Sequence, residues 1–122
     1  MSKLPLIAII DDDGSVRATT DSLVRSLGYS VHTFASSEEF LKSSRPDDFA
    51  CVIADVQMPG MSGVQLQDCL RAQGYVVPFI FFTAFPDEKI RAQALAAGAV
   101  CYLTKPFDVD SLIQCLQGAS ST

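Results

Sequence analysis

Four short apolar runs, each followed by charged or hydroxyl-bearing residues, constrain the fold of this chain more than any other feature. The runs span residues 6–10, 51–54, 79–82 and 99–103, and fully apolar runs of this length are typical of buried strands in a parallel sheet. The polar residues that follow them are Asp11, Asp12 and Asp13, then Asp55, then Thr83, and finally Thr104 and Lys105. Because the carboxyl ends of parallel strands lie along one edge of a sheet, where ligands bind, the pattern predicts one polar pocket built from distant parts of the chain.

Between the apolar runs the sequence has helical periodicity, so that strands and helices alternate from end to end. We predict strands at 6–10, 29–34, 49–54, 77–82 and 100–103, and helices at 15–27, 36–41, 62–74, 87–97 and from 108 onward. Five such βα units imply a parallel sheet with helices on both faces and right-handed crossovers.

The length and composition indicate a single domain with a hydrophobic core. The chain has 122 residues, 48% of them hydrophobic, and a formal net charge of −5; domains of about 100–150 residues are the commonest. The acidic balance argues against a broad nucleic-acid-binding face, and no apolar run approaches the ~20 residues of a membrane span. We therefore expect a cytoplasmic protein without direct nucleic-acid or membrane contact, in which residues 118–122 are a terminus or the beginning of a linker.

The four cysteines and the single histidine give no sign of a metal site. Cys51, Cys69, Cys101 and Cys115 are scattered without a Cys-x-x-Cys pair or neighbouring histidines. Three of them fall within apolar patterns, which favours buried, reduced thiols over disulfides or zinc. His32 stands at an alternating position of a predicted edge strand, where we expect it at the surface.

The acidic residues at the predicted sheet edge indicate a divalent cation. Asp11, Asp12 and Asp55 would crowd like charges together, which is unfavourable unless a cation neutralises them. Ligand sets made of oxygen suit a hard ion, and Mg²⁺ commonly takes one or two carboxylates while keeping several waters. We interpret Asp13 differently, as a solvent-exposed cap of the first helix. Lys105 adds a cation to the same edge, and the proline after it permits a cis bond that would aim the lysine inward.

Four motifs in this order are similar to those of a known family. They are IDDD at 10–13, DVQMPGMSG at 55–63, FTA at 82–84 and KPF at 105–107, the last preceded by AGAVCYLT at 97–104. In order and spacing they resemble the response-regulator receiver family over essentially the whole chain, and its FixJ-type members in particular. The resemblance implies a single receiver domain over 1–122, with an α/β, doubly wound, flavodoxin-like fold. Its five-stranded parallel sheet would have the order 2-1-3-4-5 and carry five helices.

The resemblance also implies a phosphoacceptor and a set of metal ligands. Asp55 would accept a phosphoryl group from a histidine kinase or a small phosphodonor. Asp12 and Asp55 would hold Mg²⁺ directly, with the backbone carbonyl of Gln57 as the third protein ligand, and Asp11 would act through water.

The remaining site residues would respond to the phosphoryl group. By the same resemblance, Lys105 would contact the phosphoryl oxygens, the Thr83 hydroxyl would turn toward them, and Tyr102 would change rotamer in concert. Elementary chemistry agrees, because phosphoryl transfer needs positioning and charge neutralisation, and an acyl phosphate can order a hydroxyl-bearing loop. Gln57 and Phe85, each two residues after a site residue, are expected to alter dephosphorylation more than magnesium affinity.

The function expected from the resemblance is phosphorelay signal transduction in a two-component system, not enzymatic turnover of a separate substrate. The partners would be a sensor histidine kinase, a second copy of the chain after phosphorylation, and a C-terminal DNA-binding output domain for transcription regulation, which this chain lacks. The switching face would comprise the fourth helix, fifth strand and fifth helix. We expect its contacts from Lys89, Ile90, Arg91, Ala94 and Val100.

Three other interpretations are weaker. Residues 11–16 resemble the DxDGT motif of haloacid-dehalogenase-type phosphatases, with Asp11 as nucleophile and Asp13 as acid, but that leaves the motif after Asp55 unexplained. An EF-hand calcium loop fails because its first ligand would be Ile9. An inactive pseudo-receiver predicts losses among the site residues, and the sequence shows none.

Overall fold

A five-stranded, fully parallel sheet forms the centre of the molecule. The computed structural model describes residues 5–43, 45–105 and 108–120. The strands are β1 (Leu6–Ile10), β2 (Ser30–Phe34), β3 (Cys51–Asp55), β4 (Phe79–Thr83) and β5 (Cys101–Thr104). Their order is β2-β1-β3-β4-β5, which confirms the doubly wound topology expected for this chain.

Five α-helices connect and flank the strands. They are α1 (Gly14–Ser26), α2 (Ser37–Ser43), α3 (Gly63–Ala72), α4 (Glu88–Ala96) and α5 (Val109–Ser120), and a 3₁₀ turn at Pro46–Asp48 precedes β3. Within the described residues, no helix has the length and apolar character needed to cross a membrane. Helix α5 includes residues 118–120, so this small polar stretch is helical up to the end of the described chain.

The two faces of the sheet carry separate hydrophobic clusters, because side chains alternate along each strand. Helices α1 and α5 cover one face through Val24, Leu112 and Leu116, which pack with Ile7, Ile9, Ile53 and Ile80. The other face is covered by α2, α3 and α4 through Phe40, Leu66, Leu70 and Ala94. The three inner strands β1, β3 and β4 are buried almost throughout, whereas His32 on the edge strand β2 is exposed as predicted.

The strands end slightly later than the sequence pattern predicted. β3 was expected over 49–54 and β4 over 77–82, but they run through Asp55 and Thr83. Both polar residues remain in register, since Asp55 pairs with Phe82 and Thr83 pairs with Thr104. The two side chains are therefore held by the rigid sheet and not by the loops that follow. Pro106 and Phe107 lie outside the described residues, and so does the peptide bond at which the proline would permit a cis form.

One prediction about the cysteines is wrong. Cys101 on β5 and Cys115 on α5 form a disulfide, with their Cα atoms 6.1 Å apart, whereas Cys51 and Cys69 are free thiols. The pair is 14 residues apart in the sequence and has no local pattern to reveal it. The packing of α5 against β5 is what brings the two sulfurs together.

Gly63 allows α3 to begin directly against the end of β3. Its N–H donates to the carbonyl of Val56 at 3.2 Å. A Cβ atom at this position would lie 2.5 Å from the Asp55 carbonyl oxygen and 3.0 Å from Cε1 of Phe81. Only glycine fits this close approach, and it holds the start of α3 beside Asp55.

Gly63→Ala is expected to lower the free energy of unfolding by roughly 1–3 kcal/mol, the usual cost of overpacking a filled core. Urea unfolding followed by circular dichroism measures it. The matched control is Gly118→Ala in α5, where a new Cβ would make only ordinary contact, 3.7 Å from Val100. The control should gain about 0.5–1 kcal/mol from better helix propensity, and equal stability of the two variants would contradict this account.

Candidate functional site

The carboxyl ends of four neighbouring strands bring the predicted site residues to one edge of the sheet. Asp11 directly follows β1, Asp55 and Thr83 are the last residues of β3 and β4, and Lys105 directly follows β5. Carboxylate oxygens of Asp11, Asp12 and Asp55 all lie within 4.8 Å of one another. Asp11 and Asp55 are buried and Asp12 is exposed, so the cluster opens to solvent on one side.

Lys105 joins the two buried carboxylates. Its Nζ lies 2.8 Å from Oδ2 of Asp55 and 3.1 Å from Oδ2 of Asp11, and it stands 4.7 Å from the ring centroid of Phe82. Burial opposes the charge of this ammonium, but the hydrogen bonds and charges of Asp55 and Asp11 outweigh burial and raise the pKa of Lys105. The lysine is therefore a permanent cation at neutral pH.

Asp11 is held from several directions. Its Oδ1 accepts a hydrogen bond from the N–H of Asp13 at 2.9 Å, and its backbone carbonyl accepts one from Nη1 of Arg17 at 2.7 Å. Burial raises the pKa of the Asp11 carboxyl, although these N–H and Lys105 contacts partly oppose the rise. The ionised form of Asp11 is thus less favoured here than it would be in water, and additional positive charge nearby would favour it.

The charge of the cluster fits a divalent cation. Three carboxylates and one ammonium leave an excess of two negative charges, and oxygen ligands of this type suit Mg²⁺. Gln57, predicted to add a backbone ligand, lies in the loop after β3, where its N–H donates to Oδ1 of Asp55 at 3.0 Å. The backbone of Gln57 is therefore adjacent to the cluster, while its side chain is exposed.

Asp13 has a different position from the other acids, as predicted. Its side chain accepts hydrogen bonds from the N–H groups of Ser15 and Val16 and caps the N-terminus of α1. The phosphatase interpretation required Asp13 as a catalytic acid, and this capping role leaves the residue exposed and bonded to the helix.

The two predicted switch residues both contact the connection between β4 and α4. Thr83 is fully buried; its hydroxyl accepts a hydrogen bond from the N–H of Phe85 at 3.1 Å, and its carbonyl accepts one from the N–H of Lys105 at 2.7 Å. Tyr102 is half-buried, and its hydroxyl accepts a long hydrogen bond, 3.5 Å, from the N–H of Asp87. Asp87 is the N-cap of α4, so Tyr102 contacts the beginning of that helix.

The face expected to switch is only partly available for contacts. Lys89 and Arg91 are exposed, and Ile90 and Val100 are half-buried. Ala94, however, is completely buried in the core beneath α4. Ala94 is on the side of α4 that faces the sheet, so its methyl group cannot contribute to an intermolecular surface in this conformation.

Two residues near the site were missed by sequence reasoning. Arg17 bonds the Asp11 carbonyl, and Oε2 of Glu38 on α2 accepts the N–H of Met61 at 2.9 Å. Gly60 has a φ of 77°, and a Cβ there would lie 2.6 Å from the same Glu38 oxygen. The hydrogen bond from Met61 lowers the pKa of Glu38. Glu38 thus connects α2 to the loop that contains Gln57. The two bonded residues are 23 positions apart in the sequence, and no local pattern indicates such a contact.

In buffer without divalent ions, Asp11→Asn is expected to raise the free energy of unfolding. The folded-state pKa of Asp11 lies above its ordinary value, so the ionised carboxylate costs stability at neutral pH, and an amide removes that cost. Asp13→Asn is the control, since it removes the same charge from an exposed helix cap and should change stability by less than about 0.5 kcal/mol. A clear loss of stability in Asp11→Asn would instead show that the ion pair with Lys105 dominates.

Comparisons with known proteins agree with this geometry. The family model of the response regulator receiver domain matches residues 7–117. The response regulator protein TodT of Pseudomonas putida is 40% identical over 114 residues, which are 93% of this chain and 50% of TodT. The transcriptional regulatory protein FixJ of Bradyrhizobium diazoefficiens is 34% identical over 113 residues, which are 93% of this chain and 55% of FixJ.

A solved structure shows the same architecture. The crystal structure of FixJ-N superposes with a TM-score of 0.86 at 30% identity, covering 98% of this chain and 95% of that one. This chain spans about half the length of TodT and FixJ. The chain therefore belongs to the response-regulator receiver domain family of two-component signal transduction.

Proposed function

We propose that this receiver domain accepts a phosphoryl group on Asp55 with the help of Mg²⁺. The observation that carries the proposal is the position of the Asp55 carboxylate. One of its oxygens lies 2.8 Å from the Lys105 ammonium, and the side chain stands within the cluster that also contains Asp11 and Asp12. A nucleophilic carboxylate, a fixed cation and two further acids are the groups that phosphoryl transfer to an aspartate requires.

The acidic residues would hold the metal in the roles expected from the family. Asp12 and Asp55 would bind it directly, the backbone carbonyl of Gln57 would be the third protein ligand, and Asp11 would act through a water molecule. When bound, Mg²⁺ supplies the positive charge that offsets the excess negative charge of the cluster and of the incoming phosphoryl oxygens. Glu38 has a supporting part, because its bond to Met61 restrains the loop that presents Gln57.

The transfer itself needs little from the protein beyond position and charge. An Asp55 oxygen attacks phosphorus, a P–O bond to Asp55 forms, and the bond from phosphorus to the donor breaks. The donor is a phosphohistidine of a sensor histidine kinase, or a small acyl phosphate. Lys105 already hydrogen-bonds Asp55 and would transfer its hydrogen bond to a phosphoryl oxygen. In this proposal the acidic site turns over no separate substrate, and its chemistry is the self-phosphorylation and self-dephosphorylation of Asp55.

The phosphorylated state would be transmitted through Thr83. Its hydroxyl oxygen now accepts the N–H of Phe85. A phosphoryl group on the neighbouring strand would give the same hydroxyl a charged oxygen to which it can donate its proton. Rotation of the hydroxyl toward the phosphoryl releases Phe85 and the connection to α4. Tyr102, which contacts Asp87 at the start of α4, changes rotamer in the same event. This is a two-state switch biased by a local charge.

The output follows from that switch. The face of α4, β5 and α5 presents Lys89, Ile90 and Arg91, and we propose that phosphorylation makes it a homodimer interface. The name of FixJ, a transcriptional regulatory protein about twice as long as the matched region, supports a DNA-binding output domain as the downstream partner.

Intact mass after incubation with acetyl phosphate and Mg²⁺ tests the proposed chemistry. Wild type and Asp13→Asn should each gain one phosphoryl group, and omission of Mg²⁺ should abolish the gain. Asp55→Asn should gain none, because the amide cannot act as the nucleophile, although the nearly isosteric side chain leaves the fold of the cluster in place. Labelling that persists in Asp55→Asn but disappears in Asp11→Asn would support the phosphatase-like alternative. A complete absence of labelling, also with a cognate kinase, would indicate an inactive pseudo-receiver.

Gln57→Ala is expected to lengthen the lifetime of the phosphorylated state by about tenfold, or ~1.4 kcal/mol in activation free energy. Its exposed amide would orient a hydrolytic water, as glutamines do in other phosphoryl-transfer sites. Phe85→Ala, with an exposed ring beside Thr83, should also change the lifetime. Mg²⁺ affinity should stay within about twofold, because Gln57 offers its backbone and not its side chain to the metal. Weaker Mg²⁺ binding with an unchanged lifetime would overturn this assignment.

A further inference from the structure

The disulfide between Cys101 and Cys115 joins the edge strand of the sheet to the last helix. Cys101 lies on the edge strand β5, and Cys115 lies in the middle of α5. The 6.1 Å between their Cα atoms is within the ordinary range for disulfides. Cys115 is only 5% exposed, whereas Cys101 is half-buried, so a small molecule from solvent meets Cys101 first.

The other two cysteines do not compete for this bond. Cys51 is buried in β3, and burial raises the pKa of its thiol to about 12, which keeps it protonated and unreactive. Cys69 lies on α3, which covers the face of the sheet opposite to α5. The fold therefore places one specific pair of the four sulfurs within bonding distance.

We propose that Cys101 and Cys115 form a redox-responsive modification site, oxidised by a low-molecular-weight disulfide such as oxidised glutathione. The Cys101 thiolate attacks one glutathione sulfur, which forms a mixed disulfide and releases one reduced glutathione. The Cys115 thiolate then attacks the Cys101 sulfur and releases the second. Two protein thiols become one disulfide, and one oxidised glutathione becomes two reduced ones, so atoms and electrons balance.

Oxidation would change how α5 is held. In the reduced protein α5 is attached to the sheet by apolar contacts, among them Leu112 and Leu116. In the oxidised protein it is also tied covalently to β5, and the closed loop contains both Tyr102 and Lys105. The redox state therefore sets how easily α5 separates from the edge strand. Because α5 and β5 are also part of the proposed switching face, the disulfide would restrain that face as well. This last consequence rests on the proposed function, and the disulfide chemistry does not.

Bond formation is tested in glutathione buffers of graded redox potential, with alkylation of free thiols and peptide mapping. Wild type and Cys69→Ala should each lose the mass of two hydrogens and yield a linked peptide pair containing Cys101 and Cys115. Cys101→Ala should form no such link, and Cys115→Ala should stop at a mixed disulfide on Cys101. A link involving Cys51 or Cys69, or no link at any potential, would overturn the proposal.

The effect on α5 is tested by amide hydrogen exchange of wild type in its oxidised and reduced forms, without phosphorylation. Amides of α5 should exchange at least about tenfold more slowly in the oxidised protein, while those of α2 should be unchanged. Equal rates in α5 would refute the covalent restraint. Because Asp55 is never phosphorylated here, this outcome is independent of whether the proposed phosphoryl transfer occurs.

Discussion

The ammonium of Lys105, placed between the carboxylates of Asp55 and Asp11, is the contact on which the polar edge of this protein depends. Without it, three acids would converge with no compensating charge, and burial of two of them would be prohibitive. With it, the cluster is held together but still carries excess negative charge. The site can therefore form without a metal, and its remaining negative charge favours binding of a divalent cation.

The parallel sheet makes this arrangement precise. Asp55 and Thr83 are strand residues paired in register with Phe82 and Thr104, so their positions are determined by backbone hydrogen bonds of the core. The loops contribute the adjustable groups, the backbone of Gln57 and the N–H of Phe85. A switch of this kind requires a phosphoacceptor held rigidly by the sheet and loops that can move around it, because the charge must stay in place while its neighbours rearrange.

Most of the fold and of the acidic cluster could be predicted, for a physical reason. Buried parallel strands need continuous apolar runs, and the residue after such a run must lie at the ligand-binding edge. Asp11, Asp55, Thr83 and Lys105 are all found there. The exact ends of the strands were harder to predict. Asp55 and Thr83 have polar side chains, and an apolar pattern places the end of a buried strand before such residues.

Local pattern and chain order thus determined the order of elements, the polar edge and the capping of α1 by Asp13, because these depend on neighbours within a few residues. Only the tertiary structure decided the contacts between distant segments. Examples are the disulfide of Cys101 with Cys115, the bond from Met61 to Glu38, and the burial of Ala94 between α4 and the sheet, all of which arise from how helices pack. Such packing is a property of whole surfaces meeting, and no short stretch of sequence encodes it.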